Sequence, residues 1–167
     1  MIKNQKATFI HFLDKFPEIE LPITLSEDSH HDFSKTNKPL SADMTREFLA
    51  NLETVEIDEY TEYIPCFSIP ETHGFHAIVY FKAGLMTYEY VLITFNKDGI
   101  SIDKKTIAGT KVEGDQLHRT VATIEDDWII YCVRGTTAAD NPVYDSSTSE
   151  SLHLELLATG EIIYSEE

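Results

Sequence analysis

Basic residues are scarce in this chain. Only 13 lysines and arginines stand against 29 aspartates and glutamates, which gives a formal net charge of −16. Proteins that bind nucleic acid or an anionic membrane surface gain affinity from basic side chains that neutralise phosphates. We therefore expect no binding to nucleic acid and none to a membrane. A strongly acidic surface instead favours solubility and rapid encounter with basic partners.

Cysteine is also rare, with only Cys66 and Cys132 among 167 residues. A disulfide scaffold needs more cysteines in a shorter chain, so we expect two buried thiols, although a bond across neighbouring strands stays open. No run approaches the roughly 18 apolar residues of a membrane span. The segment after Met1 lacks the hydrophobic core of a secretion signal. We expect a cytoplasmic protein, and an exported form with a removed signal peptide stays open.

Recognisable catalytic and cofactor-binding motifs are missing. The sequence contains no G-x-S-x-G elbow, no glycine-rich phosphate loop and no H-E-x-x-H pair. Both cysteines lie in apolar runs, which raise the pKa of a thiol, whereas a nucleophile needs a lowered pKa. We therefore assign no catalytic residue and no cofactor. An enzyme is disfavoured, but this question stays open.

Two histidine clusters have the residue types of a metal site but too few ligands. One is His30-His31-Asp32, which follows two acids, and the other is His73 with His76. A metal site needs three or four ligands at a fixed reach, neither cluster supplies enough of them alone, and no cysteine or helix-borne H-E-x-x-H motif completes one. We interpret these histidines as polar loop residues and predict no metal site.

The region from residue 57 onward has the pattern of consecutive strands. Eight strands are predicted: Ile57–Ser68, Phe75–Lys82, Met86–Phe95, Ile100–Ala108, Leu117–Ile124, Trp128–Arg134, Ser151–Ala158 and Glu161–Ser165. Their short connections, such as Asn96–Gly99, require antiparallel neighbours. The apolar run Val91-Leu92-Ile93 indicates that both faces of this strand are covered. The exception to short connections is Gly135–Glu150, which we interpret as a surface loop.

The first 53 residues combine helical and irregular patterns. Apolar residues at helical spacing predict a helix over Ala7–Phe16, and its apolar face consists of Phe9, Phe12, Leu13 and Phe16. A second helix is predicted over Ala42–Glu53, with Ser41 as its N-cap. Between them, Glu18–Leu25 is predicted to be extended at an edge or on the surface, and Ser26–Pro39 to be a loop. The pattern Phe16-Pro17-x-x-x-Leu21-Pro22 resembles segments of bacterial proteins and implies no function.

Together these elements predict an α+β fold that is mostly antiparallel β. We expect a single domain over residues 1–167, in which a helical part, residues 1–53, packs on a meander formed by residues 57–167. A large meander must curl, so it would form a half-barrel or two packed, propeller-blade-like sheets. We expect one N-terminal helix to plug the curled sheet. The oligomeric state stays open.

Acidic residues concentrate in two segments without lysine or arginine, residues 47–81 and 135–167. Curling of the sheet would merge them into one acidic face, whose predicted residues are Glu56, Asp58, Glu59, Glu62, Glu155 and Glu161. Aromatic residues that could anchor a partner are Tyr60, Tyr63, Tyr88, Tyr90 and Trp128.

Three functions are compatible with these patterns. The preferred hypothesis is a non-enzymatic interaction protein, like small inhibitor or immunity proteins, that binds a basic partner through the acidic face. One alternative is a small-ligand-binding protein that uses the interior of the sheet. The other is a hydrolase that depends on carboxylates or a metal ion.

Overall fold

The computed structural model describes residues 3–53, 60–138 and 149–165, with the side chains of residues 3–7 left out. Three α-helices precede most of the strands: α1 Lys3–Leu13, α2 Ser29–Thr36 and α3 Ala42–Phe48. The strands are β1 Ile23–Leu25, β2 Glu62–Ser68, β3 His76–Ala83, β4 Thr87–Phe95, β5 Ser101–Glu113, β6 Gln116–Ile124, β7 Ile129–Ala138, β8 Glu150–Leu156 and β9 Ile162–Tyr164. The predicted α+β class is confirmed.

The strands form one antiparallel sheet of nine strands in which β2 to β9 are neighbours in chain order. The ninth member is β1, which pairs with the last residues of β6. It comes from the segment that was predicted to be extended, and the other eight correspond to the predicted meander. The sheet is not closed, since its two end strands, β2 and β9, do not pair with each other.

Strand β5 divides the sheet into two layers. Its first part pairs only with β4, residues 109–111 pair with both β4 and β6, and residues 112 and 113 pair with β6. Gly109, at the start of this shared part, has φ +141°, and an added Cβ would lie 2.0 Å from the carbonyl oxygen of Tyr88. Only glycine fits a backbone that approaches so closely. We call β2, β3, β4 and residues 101–108 the front layer, and β1 with β6–β9 the back layer.

The core consists of two separate hydrophobic clusters. The first lies between the layers and includes Phe67, Leu92 and Ile130, which are fully buried. The second lies on the outer face of the front layer, where α1 and α3 cover Val91 and Ile93 among others. The strand β4 is therefore covered on both faces, as its apolar run predicted.

The expected position of the N-terminal helix was wrong. Phe9 and Phe12 of α1 pack against Phe95 and Phe48, with ring centroids 5.3 Å apart for Phe9–Phe95 and 4.6 Å apart for Phe12–Phe48. These residues belong to the outer cluster and do not enter the space between the layers. Side chains of the two layers fill most of that space themselves, so a helical plug has no room.

The prediction of a loop over Ser26–Pro39 was also wrong, since this segment contains α2. None of the residues of this helix is buried, so it lacks the apolar stripe by which a helix is recognised in a sequence. One polar and one aromatic contact attach it to β2. The side chain of Asn37 donates to the carbonyl oxygens of Pro65 and Cys66 at 2.8 Å, and the ring of Phe33 contacts Phe67.

Several predicted boundaries differ from the structure. The helix that begins after Ser41 is shorter than predicted and continues as a 3₁₀ turn, Ala50–Leu52, while the Ser41 hydroxyl accepts from the backbone of Met44, as an N-cap does. The strand β2 begins at Glu62, and β7 runs to Ala138, into the predicted loop. Residues 57–59 and 139–148 of these predictions lie outside the described residues.

Both cysteines are buried and unpaired, as expected for two thiols. In the described part of the chain, no helix is long and apolar enough to cross a membrane.

Candidate functional site

A cavity of about 370 Å³ opens between the two layers at the end near Tyr88. We call it the mouth cavity. Its wall comes from β4 and β5 and its floor from β6, β7 and β8. Its lining includes Tyr88, Ile107, Ala108, Lys111, Glu113, His118, Thr120, Cys132, Arg134, Glu150 and Leu152.

The polarity of the floor changes along the strands because the register places neighbouring residues in rows. Near the core, Ala122, Cys132 and Leu152 form one apolar row across β6, β7 and β8. The next row toward the mouth contains Thr120, Arg134 and Glu150. Side chains on one face of a strand alternate with those on the other, so both rows point into the space between the layers. The floor is apolar inside and polar at its outer end.

A small polar network borders the mouth. The Nζ of Lys111 lies 2.8 Å from Oε1 of Glu113, and Nε2 of His118 lies 3.5 Å from Oε2 of the same carboxylate. On the other side of its ring, Nδ1 of His118 is 2.9 Å from the hydroxyl of Thr136. The hydrogen bond and charge of Lys111 lower the pKa of Glu113, assisted by His118 and Arg134. The network therefore holds an ionised carboxylate next to three basic side chains.

The thiol of Cys132 lies in the apolar part of the floor. Its Sγ donates to the carbonyl oxygen of Ile107 at 3.3 Å, and burial raises its pKa to about 11. Burial raises the pKa of the Cys66 thiol as well. Both thiols are protonated at neutral pH, so neither has the properties of an activated nucleophile.

A second cavity, of about 300 Å³, lies between the start of α2 and the inner face of the front layer. We call it the helix-side cavity, and it shares Tyr88, Gly109 and Thr110 with the mouth cavity. Its lining also includes Glu27, Asp28, His30, His31, Phe81 and Tyr90. The two cavities are thus adjacent, with Tyr88 in the wall between them.

Aromatic rings form much of the helix-side cavity. The ring of His30 is stacked on Phe81, with centroids 4.3 Å apart and planes within 6°. The ring of Tyr90 contacts Phe81 at 4.8 Å, and its hydroxyl donates to the carbonyl oxygen of Ser26 at 2.9 Å. Burial and the neighbouring His31 lower the pKa of His30, although Glu27 and Asp28 act in the opposite direction. We therefore treat His30 as neutral at physiological pH.

The structure separates the two histidine clusters. His30 and His31 lie at the helix-side cavity, whereas His73 and His76 line another cavity of about 330 Å³ with Glu18 and Glu71. Within residues 3–53, 60–138 and 149–165, no group of three or more histidines, cysteines or acids could hold a metal ion.

The predicted aromatic anchors lie at several places. Tyr88 and Tyr90 line the cavities, and Tyr60 is exposed before β2. Tyr63 contacts Tyr80 on the outer face of the front layer. Trp128 contacts Phe75 at the end of the sandwich away from the mouth. The aromatic residues therefore do not form one surface, and only Tyr88 and Tyr90 belong to the candidate site.

The predicted acidic residues fall into three groups. Glu56, Asp58 and Glu59 lie outside the described residues. Glu62 pairs with Ala83 at the mouth end of the sandwich, while Glu155 and Glu161 belong to the β8–β9 hairpin. The turn of this hairpin contacts Thr94, which pairs with Ala77. Since Ala77 and Ala83 are six residues apart on β3, these two groups are separated by about 20 Å. The described acids are thus not brought together.

Sequence reasoning missed the residues of the mouth cavity: Lys111, Glu113, His118 and Arg134. The signal that could have found them is alternation. Positions 118 and 134 have the same parity as the buried residues Ala122 and Cys132, so they face the interior although they are polar. A polar residue on a core-facing position of a strand indicates either a satisfied network or a site.

A comparison of the chain with models of protein families, with curated proteins and with solved structures found no match.

Proposed function

We propose that the protein is a non-enzymatic binding protein that holds a small organic molecule in the mouth cavity. The observation that carries the proposal is the cavity itself. Its volume of about 370 Å³ falls within the range of small-molecule sites, roughly 300–1,000 Å³.

The lining favours a ligand with an apolar body and a polar group at one end. Ile107, Ala108 and Cys132 supply apolar surface at the inner end of the cavity, and the partly exposed Leu152 adds apolar surface at its edge. Arg134 supplies donors at the outer end, and within the described residues its guanidinium has no ion pair. Burial of the apolar body would provide most of the affinity, and the donors would orient the ligand.

A thermal-shift screen with small carboxylates, amines and neutral aromatic compounds tests the proposal. A ligand that binds only the native state at 100 times its Kd adds about 2.7 kcal/mol to the unfolding free energy. For a chain of this size, that raises Tm by roughly 5–10 °C.

Two tryptophan substitutions on the same strand supply the matched comparison. Thr120→Trp would place a large side chain in the mouth cavity, whereas Val121→Trp would place it on the opposite, exposed face of β6. We expect Thr120→Trp to abolish the ligand-induced shift and Val121→Trp to retain it. The proposal fails if no compound raises Tm, or if the shift survives Thr120→Trp.

A second candidate is the binding of a basic protein, and the formal net charge of −16 favours it. Such an encounter would be fast at low ionic strength and strongly weakened by salt. In this candidate, the two acids of the β8–β9 hairpin, Glu155 and Glu161, would contact the basic protein together.

A pull-down at low and at high salt tests this candidate. The double variant Glu155→Gln/Glu161→Gln should lose captured basic protein, while Asp32→Asn/Asp115→Asn, with the same change in charge elsewhere, should keep it. Capture of no basic protein at low salt, or equal loss in both variants, would refute it.

A further inference from the structure

The polar groups at the helix-side cavity are mainly acceptors. Two carboxylates, Glu27 and Asp28, lie at its rim, and His30 contributes a neutral imidazole. The rings of Phe81, Tyr88 and Tyr90 supply π faces, which attract cations and not anions. This combination differs from the mouth cavity, where basic side chains dominate the polar end.

The carboxylate of Asp28 is available for a ligand. Asp28 is the N-cap residue of α2, yet its side chain makes no capping hydrogen bond. An aspartate in this position usually accepts from the backbone two or three residues later. The adjacent Glu27 has a partner, since its Oε2 lies 3.4 Å from Nε of Arg119. One carboxylate at the rim thus already attracts a guanidinium from this chain, and the other has no ion pair within the described residues.

The Nδ1 atom of His30 is buried and has no hydrogen-bond partner within the described residues. A buried polar atom without a partner costs roughly 1–3 kcal/mol. A neutral imidazole has one ring nitrogen that accepts and one that donates. Because this Nδ1 atom is not accessible to a ligand, His30 contributes to the cavity through its neutral ring, which is stacked on Phe81.

We propose that the helix-side cavity binds an organic cation, an ammonium or guanidinium group, between Asp28, His30 and the ring of Tyr88. The cavity of about 300 Å³ is large enough for a chain of the length of a lysine or arginine side chain. Tyr88 is 44% exposed, so its ring is accessible to the alkyl stem and to the charged group. The net negative charge of the chain adds long-range attraction for such a ligand. This site does not depend on the ligand of the mouth cavity.

The cation can come from a free amine or from a basic protein, and two probes distinguish these sources. n-Butylammonium represents the free amine, and an amidated trilysine peptide represents the protein. Butyrate and n-butanol are the control probes. Binding is measured on the full chain by titration in ¹H–¹⁵N NMR spectra, from the amide shifts of residues 27–31 and 88.

We expect saturable shifts at these residues with n-butylammonium, with the peptide or with both, and none with butyrate or butanol. Saturation by n-butylammonium assigns the site to free amines, and saturation by the peptide alone assigns it to a basic protein. Asp28→Asn should weaken binding by about two- to fivefold, as expected for one exposed ion pair. Tyr88→Leu should weaken it by a similar factor.

Asp126→Asn is the matched control, because it removes the same charge from the exposed β6–β7 turn, at the far end of β6 from Arg119. The affinity of Asp126→Asn for the cationic probes should equal that of the unmodified chain. An unchanged fingerprint of amide shifts outside residues 27–31 confirms that Asp28→Asn is folded. The proposal is overturned if neither cation saturates these shifts, if butyrate binds equally, or if Asp28→Asn and Asp126→Asn weaken binding to the same extent.

Discussion

The contact between the front layer and the β8–β9 turn depends on the hydroxyl of Thr94, and we predict that Thr94→Val destabilises the protein. This side chain is fully buried. Its hydroxyl donates to the carbonyl oxygen of Gly160 at 2.6 Å and accepts from the backbone N–H of Asp103 at 3.1 Å. Valine has nearly the same shape as threonine, so the substitution removes the hydrogen bonds without creating a cavity.

The size of the destabilisation by Thr94→Val follows from the buried groups that lose their hydrogen-bond partner. The carbonyl oxygen of Gly160 would face a methyl group, and no water has access to the fully buried position 94. An unsatisfied buried group costs roughly 1–3 kcal/mol, and valine recovers part of this cost through its greater hydrophobicity. We expect the unfolding free energy to fall by about 2 kcal/mol, which lowers Tm by roughly 4–8 °C in a chain of this size.

Urea denaturation followed by circular dichroism measures this change, with the midpoint and the slope m fitted together. The control is Thr24→Val, where an exposed hydroxyl loses a hydrogen bond to Thr123 of 2.9 Å. Surface substitutions of this kind change stability by about 0.5 kcal/mol or less. If Thr94→Val costs no more than Thr24→Val at an unchanged m, the hydroxyl does not join the layers and the reasoning is wrong.

Three further predictions concern single residues. Gly109→Ala should cost at least about 3 kcal/mol in urea denaturation, because its Cβ would lie 2.0 Å from the carbonyl oxygen of Tyr88 at φ +141°; a midpoint like that of the unmodified protein would contradict this. Burial raises the pKa of Asp103, but hydrogen bonds from the backbone of Ile162 and Lys104 outweigh it and lower the pKa overall. The ionised carboxylate of Asp103 therefore stabilises the fold above the pKa of the unfolded state, and this stabilisation is lost as the pH falls through the lower folded-state pKa. Between neutral pH and about pH 3, Asp103→Asn should lose less stability than the unmodified protein; an equal loss in the two proteins would refute this prediction. Cys132 lines the mouth cavity, and burial raises its pKa to about 11, so it should react with a disulfide reagent far more slowly in the native protein than after denaturation in urea; equal rates would contradict the raised pKa.

The sequence by itself determined the succession of hairpins. Val91, Leu92 and Ile93 are apolar on both faces, and the short turns between strands leave no room for crossovers, so antiparallel neighbours follow from local constraints alone. The amphipathic face of α1 is equally local, because Phe9 and Phe12 recur at helical spacing. The N-cap at Ser41 is also predictable from the sequence, because capping depends only on residues that are close along the chain.

Tertiary structure decided where these elements pack and where the cavities lie. The position of α1 depends on which face of the curled sheet is still open, and the bend at Gly109 depends on a close approach to Tyr88, which lies 21 residues earlier. The helix α2 has no apolar stripe that a sequence pattern could reveal. It is stabilised by contacts of Asn37 and Phe33 with a strand about 30 residues away. Cavities arise between strands that are distant in the chain, and their volume depends on layer spacing, which no local pattern encodes.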